Sequence, residues 1–77
     1  DAKVYVAVTV RFSPEGILRP LAIEWEDGRV YEVDRLVDVR RAASLKAGGA
    51  GIRYTVEIGG DGHIFFKRKT DGLWSAD

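Results

Sequence analysis

Residues 3–12, KVYVAVTVRF, alternate without a break. Val4, Val6, Val8, Val10 and Phe12 fall on one face of an extended chain, and Lys3, Tyr5, Ala7, Thr9 and Arg11 fall on the other. Period-two alternation this rich in β-branched residues predicts a half-buried strand. Ser13-Pro14-Glu15-Gly16 then supplies turn chemistry, with proline setting φ and glycine free to take it positive. Leu21, Ile23 and Trp25 alternate with Ala22, Glu24 and Glu26, and Pro20 stands near the start of this second strand, where a missing N–H does least harm. Asp27-Gly28 follows as a two-residue hairpin signal, and residues 29–33 resume a strand.

The phase slips after Val33, because Leu36 and then Val37 and Val39 no longer continue the face of Tyr31 and Val33. A β-bulge near Arg35 would re-aim and bend the strand. That reading gives a bent strand to about Arg41 and an irregular loop to Gly51. The competing assignment is a helix over 35–47, capped by Asp34, striped by Leu36, Val39 and Ala43, and ended by Gly48. Ile52, Tyr54, Val56 and Ile58 restore the alternation, and 59–62 is a second glycine-rich turn. Residues 63–70 form a further strand, and Asp71-Gly72 turns the chain into a short stub around Trp74. The pattern predicts an all-β fold: one small domain over 1–77, a bent antiparallel meander of about five strands plus a stub, SH3-like or half-barrel in style.

Composition limits how such a sheet is stabilised. The chain has 77 residues and no cysteine, so neither disulfides nor a thiolate zinc site can staple it. The core must come from apolar side chains, with Trp25, Tyr31 and Trp74 expected in it. No run nears the roughly 20 apolar residues of a membrane span, and no segment reads as a signal peptide, so no membrane association and a cytoplasmic location are expected.

The 12 basic and 12 acidic residues cancel, but not evenly along the chain. Six acids against two bases lie between Ser13 and Asp34, a balance of −4; five bases against Asp38 alone lie between Arg35 and Arg53, a balance of +4. The basic half coincides with SLKAGGAGIRY, residues 44–54. Successive backbone N–H groups in a glycine-rich turn can form an anion-binding concavity. Arg40, Arg41, Lys46, Gly48, Gly49 and Arg53 are therefore the candidate residues for binding phosphate or nucleic acid. The segment lacks the Gly-Lys-Ser/Thr ending of a P-loop and does not match the dinucleotide fingerprint. The plain alternative is a connection between strands whose charges are solvated or paired.

Aromatic platforms for stacked bases are a further requirement of a nucleic-acid surface. Tyr5 shares a strand face with Lys3 and Arg11, Tyr54 follows Arg53, and Phe65-Phe66 precedes Lys67-Arg68-Lys69. Phe65 and Phe66 must point to opposite faces, so one of them is exposed unless both faces are covered. His63, the one histidine, has only scattered carboxylates for company, which argues against a metal site, and nothing calls for a cofactor. Catalysis has less support still. Ser13 and Ser44 have no adjacent base, and Glu24 and Glu26 on an exposed hairpin face would stay ionised. No catalytic residues are assigned.

The run from Arg19 to Val56, with its WEDGR hairpin and RRAASLKAGGxGIRY segment, continues through a glycine turn and an aromatic strand to a closing Gly-x-Trp. It resembles a family of very short, uncharacterised bacterial β-proteins, and the likeness covers nearly the whole chain. The resemblance implies a small β-domain and carries no residue roles. Two functions of different class follow from the residues: a nucleic-acid or phosphate-binding module working through the basic segment, or a module that pairs with a protein partner or a second copy of itself.

Overall fold

The computed structural model describes residues 3–43 and 49–76. It is all-β, with seven strands: β1 (Val4–Phe12), β2 (Leu18–Glu24), β3 (Val30–Glu32), β4 (Arg35–Ala43), β5 (Ala50–Ile58), β6 (Asp61–Arg68) and β7 (Trp74–Ala76). All pairings are antiparallel, in the order β3-β2-β1-β7-β6-β5-β4, and the sheet curls into a half-barrel.

The count exceeds the five strands and a stub read from the pattern because one predicted strand serves two partners. β3 pairs with β2 and β4 pairs with β5, yet only Val33 and Asp34 separate them. Val33 N donates to Leu21 O (2.9 Å) and Asp34 N to Glu57 O (2.8 Å), so the two outer strands of the curl meet at this corner. Asp34 also accepts from Gly59 N through Oδ2 (2.7 Å), tying the corner to the β5–β6 turn. The predicted bulge lies at Val37, between the pairs Leu36↔Val56 and Asp38↔Thr55, two residues beyond its expected place. The strand then runs on to Ala43, past the expected end near Arg41, and β5 resumes at Ala50.

Three other expectations are corrected. A second bulge in β2 leaves Leu21 opposite no β1 residue, between Thr9↔Ala22 and Val10↔Pro20, so Leu21 leaves the face of Ile23 and is exposed. The β2–β3 hairpin is a three-residue loop: Gly28 N donates to Trp25 O and Trp25 N to Arg29 O, with Gly28 at φ +86°. A type I turn followed by a left-handed glycine gives this loop, so Asp27-Gly28 needs no positive φ at the aspartate. Tyr31, expected in the core, is 38% exposed because β3 lies at the sheet's end. The true two-residue turn is Gly59-Gly60, both at positive φ, which sets the register Ile58↔Asp61 to Gly51↔Arg68.

The concave face carries the core of Val6, Ile23, Tyr54, Val56, Phe65 and Trp74, with Val4, Val8, Trp25, Leu36, Ile52 and Ile58 packed around it. The face of β1 that bears Val6 continues to Val10 and Phe12, but there the β1–β2 hairpin projects past β7, and Phe12 is 66% exposed. β7, the predicted stub, is central: it pairs with β1 on one side and β6 on the other.

Candidate anion-binding face

Strand alternation divides the basic candidates. Arg40 lies directly opposite Arg53 on the convex face, whereas Arg41 lies opposite Ile52, on the core side, in register with Lys67 of β6. Adjacent arginines on a strand cannot serve one surface, so the expected Arg40–Arg41 pair is not brought together. Lys46 and Gly48 lie outside the described residues. Gly49, at φ +109°, precedes β5 and is exposed.

The register places one continuous row across five strands of the convex face: Arg40, Arg53, Phe66, Ser75, Tyr5. Like charges directly opposite in a sheet are destabilising, and here two arginines occupy opposite positions. Arg40 is partly compensated by Asp38, whose Oδ2 accepts from Arg40 Nε at 2.7 Å. Both partners are well exposed, so this pair contributes little stability. Arg53 has no such relief. Its Nε is buried and has no hydrogen-bond partner among the described residues. A desolvated donor on a cation is costly when left unmade, and an anion held by the guanidinium would offset the uncompensated charge.

Phe66 is not a stacking platform. It is 1% exposed, and its ring lies over Gly51, the next convex position along β5 from Arg53. Phe65 and Phe66 do point to opposite faces, and both are buried. The accessible ring on this face is Tyr5, with Lys3 Nζ 5.5 Å and Arg68 Cζ 5.9 Å from its centroid, both within cation–π range.

Arg68 is the functional candidate that the site reading missed. It is 15 residues from Arg53 along the chain but opposite Gly51 in the sheet. Asp71 orients it: Arg68 Nε donates to Asp71 Oδ1 (3.0 Å), and Nη2 pairs with Asp71 Oδ2. Leu73 N donates to Asp71 Oδ1 as well (3.1 Å). The Arg68 hydrogen bond and then the Leu73 N–H pull the Asp71 carboxyl down to about 2 from its usual 3.8, while the guanidinium is held more firmly protonated. A depressed folded-state carboxyl stabilises the turn above the unfolded value and loses that contribution as pH falls through about 2. An NMR titration of the Asp71 carboxyl is expected to show a midpoint well below 3.8 in the wild type, returning towards 3.8 in Arg68→Gln. A wild-type midpoint near 3.8 would mean that the pair does not hold Arg68 in place.

The charge asymmetry of the sequence is also one of space. The β1–β2 turn, the β6–β7 turn and the β4–β5 connection share one end of the sheet. That end carries Arg11 opposite Arg19, Arg40 opposite Arg53, and Arg41, Lys67, Arg68 and Lys69, against Glu15, Asp38 and Asp71. The other end carries Glu24, Glu26, Asp27, Asp34, Glu57 and Asp61 against Lys3, Arg29 and Arg35. No group of His, Asp and Glu among the described residues is placed to hold a metal ion, and no helix is long and apolar enough to cross a membrane. Comparison with protein-family models, with curated proteins and with solved structures finds no match to the chain.

Proposed function

We propose that the protein is a non-catalytic binding module that takes phosphate groups, foremost those of single-stranded nucleic acid, on its convex basic face. The observation that carries the reading is the Arg40–Arg53 pair, two like charges held opposite each other with the Arg53 Nε desolvated and unpartnered among the described residues. Arg68 and Lys3 extend the cationic surface to Tyr5, an exposed ring on which a base can stack. Arg41 belongs to the opposite face and is left out of this surface, although it was one of the residues first suggested by the sequence.

Contacts from three to four of these cations would give a salt slope of about −2 to −3 on single strands, at about 0.7 per phosphate. Affinity for a labelled oligonucleotide, read by fluorescence anisotropy, should fall about 30-fold between 50 and 200 mM salt on that slope. Arg40→Gln/Arg53→Gln should weaken binding and flatten the slope by about 1.4, while Arg41→Gln changes it less. Absence of binding at low salt would overturn the reading.

A second reading, association with a protein or with another copy, rests on β4. Its outer side pairs with no strand among the described residues, and Val37 and Val39 are exposed along it. Under that reading, sedimentation of the wild type shows a concentration-dependent oligomer that Val39→Lys abolishes, with no nucleic acid retained.

A further inference from the structure

A groove of about 460 Å³ opens at the acidic end of the sheet, on the face opposite the arginine row. Its floor is the buried pair Ile23 and Phe65, and its walls are the half-buried Trp25 and Ile58. The rim carries the exposed Tyr31, Asp61 and His63. A neighbouring hollow of about 330 Å³ shares Trp25, His63 and Phe65 with it. Both lie within the size range of ligand-binding clefts.

Three features of the lining select a ligand class. Trp25, Tyr31 and Phe65 supply three aromatic rings, whose negative faces attract a cation. Asp61 is the sole carboxylate among the lining residues and gives that cation a counter-charge. A plain ammonium has three N–H donors to satisfy, and a mostly apolar groove with a single carboxylate is poorly equipped for that. A methylated ammonium keeps the charge and has fewer donors, and none when trimethylated. Ile23 and Ile58 suit an aliphatic stem behind such a head.

The surroundings indicate what carries the stem. Asp34 grips Gly59, itself a groove residue, through the 2.7 Å bond to its N–H, which sets a second carboxylate beside the opening. Glu26 and Asp27 follow Trp25 in the β2–β3 loop at this end of the sheet, whereas Glu24, opposite Ala7, lies on the convex face. This is more negative charge than one ammonium needs, and it matches a ligand with further positive charges beyond its head. We propose that the groove binds a methylated lysine side chain presented by a basic peptide, a site separate from the phosphate-binding face.

The test follows the Trp25 indole N–H by NMR; with two tryptophans in the chain, Trp25→Phe assigns it. The probe is a lysine-rich hexapeptide with one central trimethyllysine. The expected result is a saturable shift of the Trp25 signal, about tenfold weaker for the isostere with carbon in place of the quaternary nitrogen. Asp61→Asn and Tyr31→Leu should each weaken binding several-fold, and Tyr31→Phe should retain it. Equal binding of the carbon isostere would overturn the cation claim, and equal binding of the unmethylated peptide would overturn the claim for methylation. Tetramethylammonium alone binding as tightly as the peptide would overturn the peptide as its source. No shift with any probe would overturn the site. The Arg40→Gln/Arg53→Gln variant should leave this titration unchanged, so failure here and failure of the phosphate reading are distinguishable.

Discussion

Trp74→Ala is expected to remove most of the protein's stability, at a cost of about 3–5 kcal/mol. Trp74 is buried, and its ring centroid lies 4.8 Å from that of Tyr54 in a tilted packing, so truncation opens a cavity in the middle of the core. Position matters as much as size. β1 and β6 do not pair with each other; the three residues of β7 join the β3-β2-β1 half of the sheet to the β6-β5-β4 half. Besides side-chain packing in the core, the other backbone link between the halves among the described residues is the Val33–Asp34 corner. A chain of this length has a total stability of about 4–12 kcal/mol, at roughly 0.05–0.15 kcal/mol per residue. Trp74→Ala should therefore leave a sizeable unfolded fraction at 25 °C, measured by urea titration with Trp25 fluorescence and circular dichroism. Leu21→Ala, at an exposed bulge, should stay within about 0.5 kcal/mol of wild type. A cost below about 1 kcal/mol for Trp74→Ala would mean that β7 is a peripheral strand after all, because cavities at buried aromatics cost more.

That role was half legible. The pattern singled out Trp74 as core but read its strand as a stub, because three residues carry no periodicity. The long alternations of 4–12 and 52–58 announced themselves, and the Gly59-Gly60 turn fixes the whole β5–β6 register once it is recognised. The bulges hide for opposite reasons. Leu21 looks like one more beat of the alternation, so nothing marks it as the extra residue. Val37 does break the phase, but the break can be drawn anywhere over a few residues. Nearness along the chain groups Arg40 with Arg41, but period two puts them on opposite faces, and Arg68 comes to the face of Arg53 only through strand pairing. The aromatic groove could not be foreseen, since Trp25, Tyr31 and Phe65 come from three elements that only the curl assembles.

Gly51→Ala is expected to cost about 3 kcal/mol, at the upper end of what overpacking usually does. Gly51 needs no positive φ; what it needs is the absence of a side chain. A Cβ there would stand 2.5 Å from Phe66 Cζ and 2.9 Å from Phe66 Cε2, and closer still to the backbone oxygen of Lys67. The ring is free to take another rotamer, but the carbonyl belongs to the paired strand and cannot move without disturbing β5–β6. Phe66→Ala in the Gly51→Ala background should therefore relieve only part of the damage, leaving a coupling of about 1 kcal/mol in a double-mutant cycle. Full relief would show that the carbonyl gives way easily and that the ring alone is the obstacle. The same geometry bears on binding, because Phe66 lies between Arg53 and Ser75 in the convex row and covers Gly51 in place of a side chain. Phe66 stands opposite Arg53, so displacing its ring disturbs the surface on which the Arg53 side chain lies. If the phosphate reading holds, Gly51→Ala weakens oligonucleotide binding at temperatures where the protein is still folded. If binding is untouched while stability falls, the buried Arg53 nitrogen contributes nothing to anion recognition, and Arg40, Lys3 and the Asp71-oriented Arg68 must carry it.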